Sequence, residues 1–435
     1  MNFLLKLNKV QKLSLLLTSA IVLRLILMPF FMHMDLLSEY RRVNYAFENG
    51  EWFPGSNRMV TFWIELVFYS ISQWFVVAQD VLLYLPNPEH STSSTSHHFI
   101  FVGDSHVFRH IFLFKLPYLV FDLLAARFVW QYFSDSPKQM LATAFWLFNP
   151  VTIYATYFFG RFEVISLFFL IATALMFKKQ KLFWAAIAFG LALNSREVNV
   201  LFLPAFFLAI WFSIQSAKIS FYKGLLVCVP VLALWALPYV LQVVFGATTP
   251  FASPASVIDV KRGVSAVLDK EFLGIYPFFL LSAASLLWLM GRRAMAPEQG
   301  FINAALAVMI AFFILGFQSA HYFSWIIPFL VLAIYPSRVM FFQASLLILC
   351  WFCYWLLTPT GAYFSPLLAT PIHESFFGWN TPSHAYQSIF AGHPLLDLRI
   401  VRKIVFTAAA ACLLVMLVDA MKCKVLYIQS EKQRC

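Results

Sequence analysis

Twenty consecutive residues, "LSLLLTSAIVLRLILMPFFM" (13–32), carry a single charge. A helix needs about 20 mostly apolar residues to cross a bilayer, and this stretch has them. Comparable runs recur at about 111–133, 139–158, 164–177, 224–245, 276–290, 301–317, 322–335, 339–358 and 401–420. Over its 435 residues the chain is 61% hydrophobic and 12% charged, with 50 Phe and 13 Trp. Ordinary soluble proteins are about one quarter charged. No aqueous fold could hide this much apolar surface, so most of the chain is expected to have lipid as its solvent. The implied fold class is an all-α polytopic membrane protein, a single membrane-embedded domain over 1–435.

The net charge of +11 is not gathered into a nucleic-acid footprint. Lys and Arg sit in short clusters between apolar runs, which is topology information, because such loops stay cytoplasmic. The six Cys (Cys228, Cys350, Cys353, Cys412, Cys423 and Cys435) have no paired loop spacing, so neither a disulfide framework nor a cysteine metal site is expected. The first run lacks a small-residue cleavage site and is expected to be an anchor.

Parity organises the rest. Lys6, Lys9 and Lys12, "KKQK" (178–181), Lys218 and Lys223, "GRR" (291–293), Arg338, and Lys422 and Lys424 are assigned to the cytoplasm. A full crossing by "TFWIELVFYSISQWFVVAQDVLLYL" (61–85) would flip every later loop. This segment, with Glu65, Gln73, Gln79 and Asp80, is therefore expected to lie in the interface or re-enter the membrane. "LFWAAIAFGLALNSREVNVLFLPAFFLAIWF" (182–212) is too long for one span and too short for two ordinary ones. It is expected to form two short helices meeting at the polar tip Asn194, Ser195, Arg196 and Glu197, tolerated at depth only where it lines a cavity or is buried in protein. The total is about twelve transmembrane helices with both termini cytoplasmic. The long loops 33–110, 246–275 and 359–400, and all ten His, fall on the other side.

The polar residues admit two readings each. Asp35 ends the first apolar run, with Glu39 four residues on. It is either a solvated interfacial carboxylate or a general base whose pKa is raised in a part-desolvated cleft. Arg41 and Arg42 suit headgroup anchors or a bound phosphate. Arg161 and Glu163, in the turn Gly160 to Glu163, suit a structural pair or contacts to substrate hydroxyls and phosphate. Arg196 and Glu197 carry the same choice at greater depth, where ionisable groups are rare and usually functional. Gln318 and His321 lie in a short outer loop, followed by aromatic residues, Tyr322 first, that suit the interfacial belt. "HSTSSTSHHFIFVGDSHVFRH" (90–110) is a polar loop holding His90, His97, His98, His106 and His110 with Asp104. His106 and His110 are spaced for one helical face, but no fixed metal motif is matched. No cofactor is expected, and a divalent metal would have only this loop. No Walker sequence, Gly-rich nucleotide loop or Gly-x-Ser-x-Gly occurs.

In order, the chain presents Asp35, "FKLPYLVFDLLAA" (114–126), "FNP" (148–150), "FGRFE" (159–163), "AAIAFGLALNSREVNVLFLP" (185–204) and "SAHYFSWIIPF" (319–329). This succession, over roughly 12–335, resembles polytopic glycosyltransferases of the GT-C fold. It is most similar to the polyprenyl-phosphate-mannose-dependent mannosyltransferases, bacterial ones and GPI mannosyltransferase relatives. Arg161 and Glu163 stand where the pattern usually has Gln and Asp, Arg196 where Lys is common, and His321-Tyr322 where Gln-Tyr is usual. Residues 370–394 match no motif.

The resemblance implies a GT-C-like bundle with membrane-lying helices in the first outer loop. It implies inverting transfer of a hexose such as mannose from a polyprenyl-phosphate donor to an extracytoplasmic glycan or lipid acceptor. Asp35 would be the general base. Glu39, Arg41, Arg42, Arg161, Glu163, Arg196, His321 and Tyr322 would bind substrate. The site would face away from the cytoplasm, in the plasma membrane of a bacterium or the endoplasmic reticulum of a eukaryote. The rival readings are a flippase for lipid-linked glycans and a glycan polymerase or ligase. A flippase would place its sites on broken helices near the midplane, with repeat symmetry.

Overall fold

Side chains, more than hydropathy, decide where the helices begin. The Asn8 side chain accepts the Gln11 N–H while Gln11 Oε1 accepts the Asn8 N–H, a capping box that opens α1 (Lys9–Leu27). His33 Nδ1 accepts the Asp35 N–H and caps α2 (Met34–Asn49). That helix ends at Gly50, whose φ of 66° is the left-handed conformation glycine adopts without cost. Asp35, Glu39 and Arg42 follow one another at helical spacing along a single face of α2. The computed structural model describes residues 8–50, 58–75, 105–134, 136–217, 221–245, 296–315, 320–333, 338–357, 366–373, 382–389, 398, 400–412 and 414–415. The described residues are mostly helical and contain no strand.

Two helical stretches are long and apolar enough to cross a membrane, Lys9–Leu27 and Val198–Gln215, each with mean hydropathy 1.8. Several runs that read as continuous are broken. The described part of the run 61–85 forms α3 (Met59–Ser72) and a following turn; its residues 76–85 lie outside the described residues. At 1.5 Å per residue α3 is about 21 Å long, short of the hydrocarbon core's ~30 Å. The run 111–133, expected as one helix, is α4 (Val107–Phe114) and α5 (Leu116–Tyr132), separated at Lys115. Pro117, just inside α5, has no N–H to continue α4's ladder.

The run 139–158 is likewise interrupted. α6 (Gln139–Leu147) stops, and Asn149 Oδ1 accepts the N–H groups of Val151 and Thr152 to start α7 (Pro150–Ile153). A π turn follows over Tyr154–Phe158. α8 is Glu163–Lys178. The run 182–212 breaks at the expected tip: α9 (Leu182–Ser195), an extended Arg196, a 3₁₀ turn Glu197–Phe202, then α10 (Leu203–Ala217). Then come α11 (Phe221–Phe245), with Pro230 and Pro238 inside it, and α12 (Pro297–Leu315). The run 322–335 is a 3₁₀ turn Ala320–Ile326 followed by α13 (Ile327–Ala333). α14 is Arg338–Leu356 and α15 is Pro382–Ile389. The expected span 276–290 lies outside the described residues.

α8 is the central element, packed along both α5 and α9, while α9 packs on α11 and α10 on α12. Inside this apolar packing sits a fully buried ion pair. Arg24 of α1 donates from Nε to Asp122 Oδ2 of α5 at 2.6 Å, and neither side chain is exposed. Trp146 Nε1 and Tyr157 Oη donate to the same carboxylate at 2.8 Å each. The guanidinium also donates to Leu147 O and Ala20 O. Lys115, fully buried at the α4–α5 break, donates from Nζ to Phe31 O and, at 2.8 Å, to Tyr157 O. It joins the stretch leading to Asp35 to the stretch leading to Arg161.

Candidate active site

Two chain segments meet beyond the C-terminal end of α1. His33 N–H donates to Phe159 O at 3.0 Å, and the two rings stack 3.9 Å apart. The π turn ends with Arg161 N–H donating to Ala155 O at 2.9 Å. Gly160 has φ 81°, and a Cβ there would lie 3.0 Å from Leu36 Cδ2 and 3.2 Å from Lys115 Cε. Only glycine fits both the backbone conformation and the contact with α2. The extra residue of a π turn, a feature that often marks functional sites, delivers Arg161 to Asp35.

Arg161 Nη1 donates to Asp35 Oδ2 at 2.8 Å, and its Nε reaches Glu163 Oε1 at 3.5 Å. Arg196 Nη2 lies 3.3 Å from the same Glu163 oxygen. Glu163 Oε2 is buried with no hydrogen-bond partner among the described residues. Glu39 is held between Arg42 and Arg58, at 2.7 and 2.9 Å. Three guanidinium carbons, those of Arg58, Arg161 and Arg196, stand 5.1, 5.0 and 5.2 Å from the ring of buried Phe162. Arg196 also faces Trp325, which stacks on Tyr322 at 4.3 Å. His321 packs on Phe159, 4.6 Å between ring centres.

Seven of the nine expected site residues therefore fall into one charged cluster with His33: Asp35, Glu39, Arg42, Arg161, Glu163, Arg196 and His321. Tyr322 borders it. Arg41 is half-buried on α2 and forms no ion pair with a described residue. Arg58, Lys115, Phe162 and Trp325 belong to the site and were not anticipated. His106 and His110 do not share a face: His106 is exposed before α4, and His110 is buried with Nδ1 3.2 Å from Tyr40 Oη. His90, His97, His98 and Asp104 lie outside the described residues, as does the side chain of Glu197. Among the described residues no three His, Cys, Asp or Glu side chains converge as a metal site.

Electrostatics correct one expectation. A cleft was expected to raise the Asp35 pKa. Burial does act in that direction, but the His33 hydrogen bond and the Arg161 charge, helped by the His33 and His321 rings, outweigh it and hold the carboxyl well below its ordinary range. The carboxylate is also 38% exposed, so water reaches it. Burial, with Arg161 and Arg196 nearby, pushes the His321 imidazole down and keeps it neutral at pH 7. Asp35 as it stands is thus an ion-paired, weak base.

Glu65 behaves oppositely. It is buried on α3, and Tyr118 Oη donates to its Oε1 at 2.7 Å. Burial and the Glu39 carboxylate push it up to about 8. A carboxyl raised on folding favours the folded state fully below its unfolded pKa, and that contribution is lost as pH rises through the folded pKa. Glu65→Gln keeps the acceptor for Tyr118 and never ionises. Its Tm should gain steadily on the parent's between about pH 5 and about pH 8. Parallel Tm curves across that window would mean Glu65 is ionised in the fold.

No protein-family model matches this chain, and no curated protein matches its sequence.

Proposed function

We propose that this chain is a polytopic membrane glycosyltransferase. It moves a hexose such as mannose from a polyprenyl-phosphate donor to an extracytoplasmic glycan or lipid acceptor, with inversion. The observation that carries the reading is a partly exposed carboxylate, Asp35, set in the first turn of the helix that follows an apolar helix of membrane-spanning length, and joined to Arg161. An acceptor hydroxyl needs a base at the membrane surface, and an anionic leaving group needs guanidinium charge beside it. Asp35 and Arg161 supply a carboxylate and a guanidinium side by side, near the Tyr322–Trp325 stack. The ordered resemblance to GT-C glycosyltransferases supports the same reading.

In this proposal about twelve helices cross the bilayer, both termini are cytoplasmic, and α2 and α3 lie at the outer surface. Asp35 takes the acceptor's proton as its oxygen attacks the anomeric carbon. Arg161 and Arg196 balance the departing phosphate. The polyprenyl tail stays in the bilayer.

Purified protein in lipid nanodiscs, given a panel of polyprenyl-phosphate sugars and acceptors, should release polyprenyl phosphate in step with sugar transfer. Transfer across vesicles of intact lipid-linked sugar, with none released, would make the protein a flippase instead.

A further inference from the structure

Asp35 presents a contradiction: the group best placed to be a base is locked to a guanidinium. We propose that Arg161 gates this base, the phosphate of a polyprenyl-phosphate donor drawing its guanidinium off Asp35 so that the carboxylate can take a proton only once donor is bound. The inference rests on the donor class proposed above and adds an order of events to it, donor before acceptor.

The geometry allows the exchange. Arg161 holds Asp35 through Nη1 at 2.8 Å and touches Glu163 only at 3.5 Å through Nε. The far edge of the guanidinium can therefore turn while Glu163 and the Phe162 ring, 5.0 Å away, retain its base. Glu163 Oε2 has no hydrogen-bond partner among the described residues, so that carboxylate can strengthen its hold as Asp35 is released. Phosphate competes well, since planar bidentate donors match its oxygens.

The groups facing Asp35 are few. His33 precedes it, Arg161 comes from the turn before α8, and neutral His321 comes from the 3₁₀ turn before α13. Glu39, one turn along α2, is neutralised by Arg42 and Arg58. Arg161 is thus the one full positive charge paired with Asp35 among the described residues. Removing such a partner raises an Asp by about 1–3 pKa units, and the incoming phosphate charge acts in the same direction.

The step then balances. The acceptor O–H gives its proton to Asp35, and its oxygen bonds to the anomeric carbon. The bond from that carbon to the phosphate oxygen breaks, its electron pair leaving with the phosphate. Without donor, Asp35 stays paired and an acceptor alone is not deprotonated.

The test reads Asp35 protonation without turnover. The full chain in nanodiscs is titrated by infrared difference spectroscopy, the Asp35 carboxyl band being assigned with Asp35→Asn. Titrations are run with and without polyprenyl phosphate, the unreactive product, whose binding is measured on the same samples. The Asp35 midpoint should rise by at least about one pH unit with the phosphate bound. In Arg161→Gln it should start high, and phosphate should move it less than half as far. Should that variant not fold, Arg161→Lys should likewise show less than half the phosphate-induced shift. Phosphate that binds without moving the midpoint overturns the gate and leaves the donor class standing. Equal shifts in parent and variants overturn it too, because the phosphate's own field would suffice. Failure of polyprenyl phosphate to bind overturns the donor class and the gate together.

Discussion

Asp35→Asn is expected to leave the chain folded and membrane-inserted and to lower sugar transfer by about 10²–10⁴-fold, the range for losing a positioned general base. The substitution is nearly isosteric. Asn Oδ1 can still accept from Arg161 Nη1 and the N-cap at His33 is untouched, so the structural part of the pair survives. What is lost is the ability to take a proton. The variant's Tm should stay within a few degrees of the parent's, which separates chemistry from folding. Donor affinity should hold or rise, since Asn competes less for Arg161 than a carboxylate does. Near-normal turnover by cleanly purified Asp35→Asn would make Asp35 an interfacial carboxylate. Glu163 would then be the next candidate, because Glu39 is clamped by two guanidinium groups.

The helical class and the polar tip at Arg196 were legible in the sequence because both are local signals. An apolar run limits what a segment can be, and a charged interruption inside it has to be accommodated somewhere. Helix breaks at Lys115 and Phe148 were missed because hydropathy does not register them. The second had a sequence signal nonetheless: Asn149 followed by Pro150 is an N-cap with proline at the first helical position. The partners within the site were not legible. Arg161 finds Asp35 across 126 positions and Arg58 finds Glu39 across 19, distances over which no periodicity carries information. A pair between Arg161 and Glu163 was one of two readings of the turn, and the two side chains do meet at 3.5 Å; Glu163 also meets Arg196, which no spacing rule suggests. Nor could charge patterning tell that Asp35 would be paired with Arg161, since that depends on a π turn bringing Gly160 against Leu36.

Breaking the Arg24–Asp122 group should produce the largest loss of stability. Removing one partner of a buried ion pair typically costs about 3–5 kcal/mol, because the other charge is left without compensation. Here the two partners are unequal. Arg24→Met leaves Asp122 its Trp146 and Tyr157 donors. Asp122→Leu leaves the guanidinium with only carbonyl acceptors, deprives Tyr157 Oη of its acceptor and leaves Trp146 Nε1 only the backbone carbonyl of residue 122, at 3.2 Å. Asp122→Leu should therefore be the worse variant, read as the larger drop in Tm and in the fraction recovered monodisperse. The double variant Arg24→Met/Asp122→Leu should fall between the two single ones, since it removes both charges but still strands the phenol donor. A double-mutant cycle over these forms gives the coupling directly, and a coupling below about 1 kcal/mol would show the pair to be a bystander. The effect should also reach the site. Tyr157 O accepts from Lys115 Nζ, which also holds Phe31 O. Loosening Tyr157 therefore slackens the clamp that sets Asp35 against Arg161, and whatever Arg24→Met protein folds should lose more turnover than donor affinity.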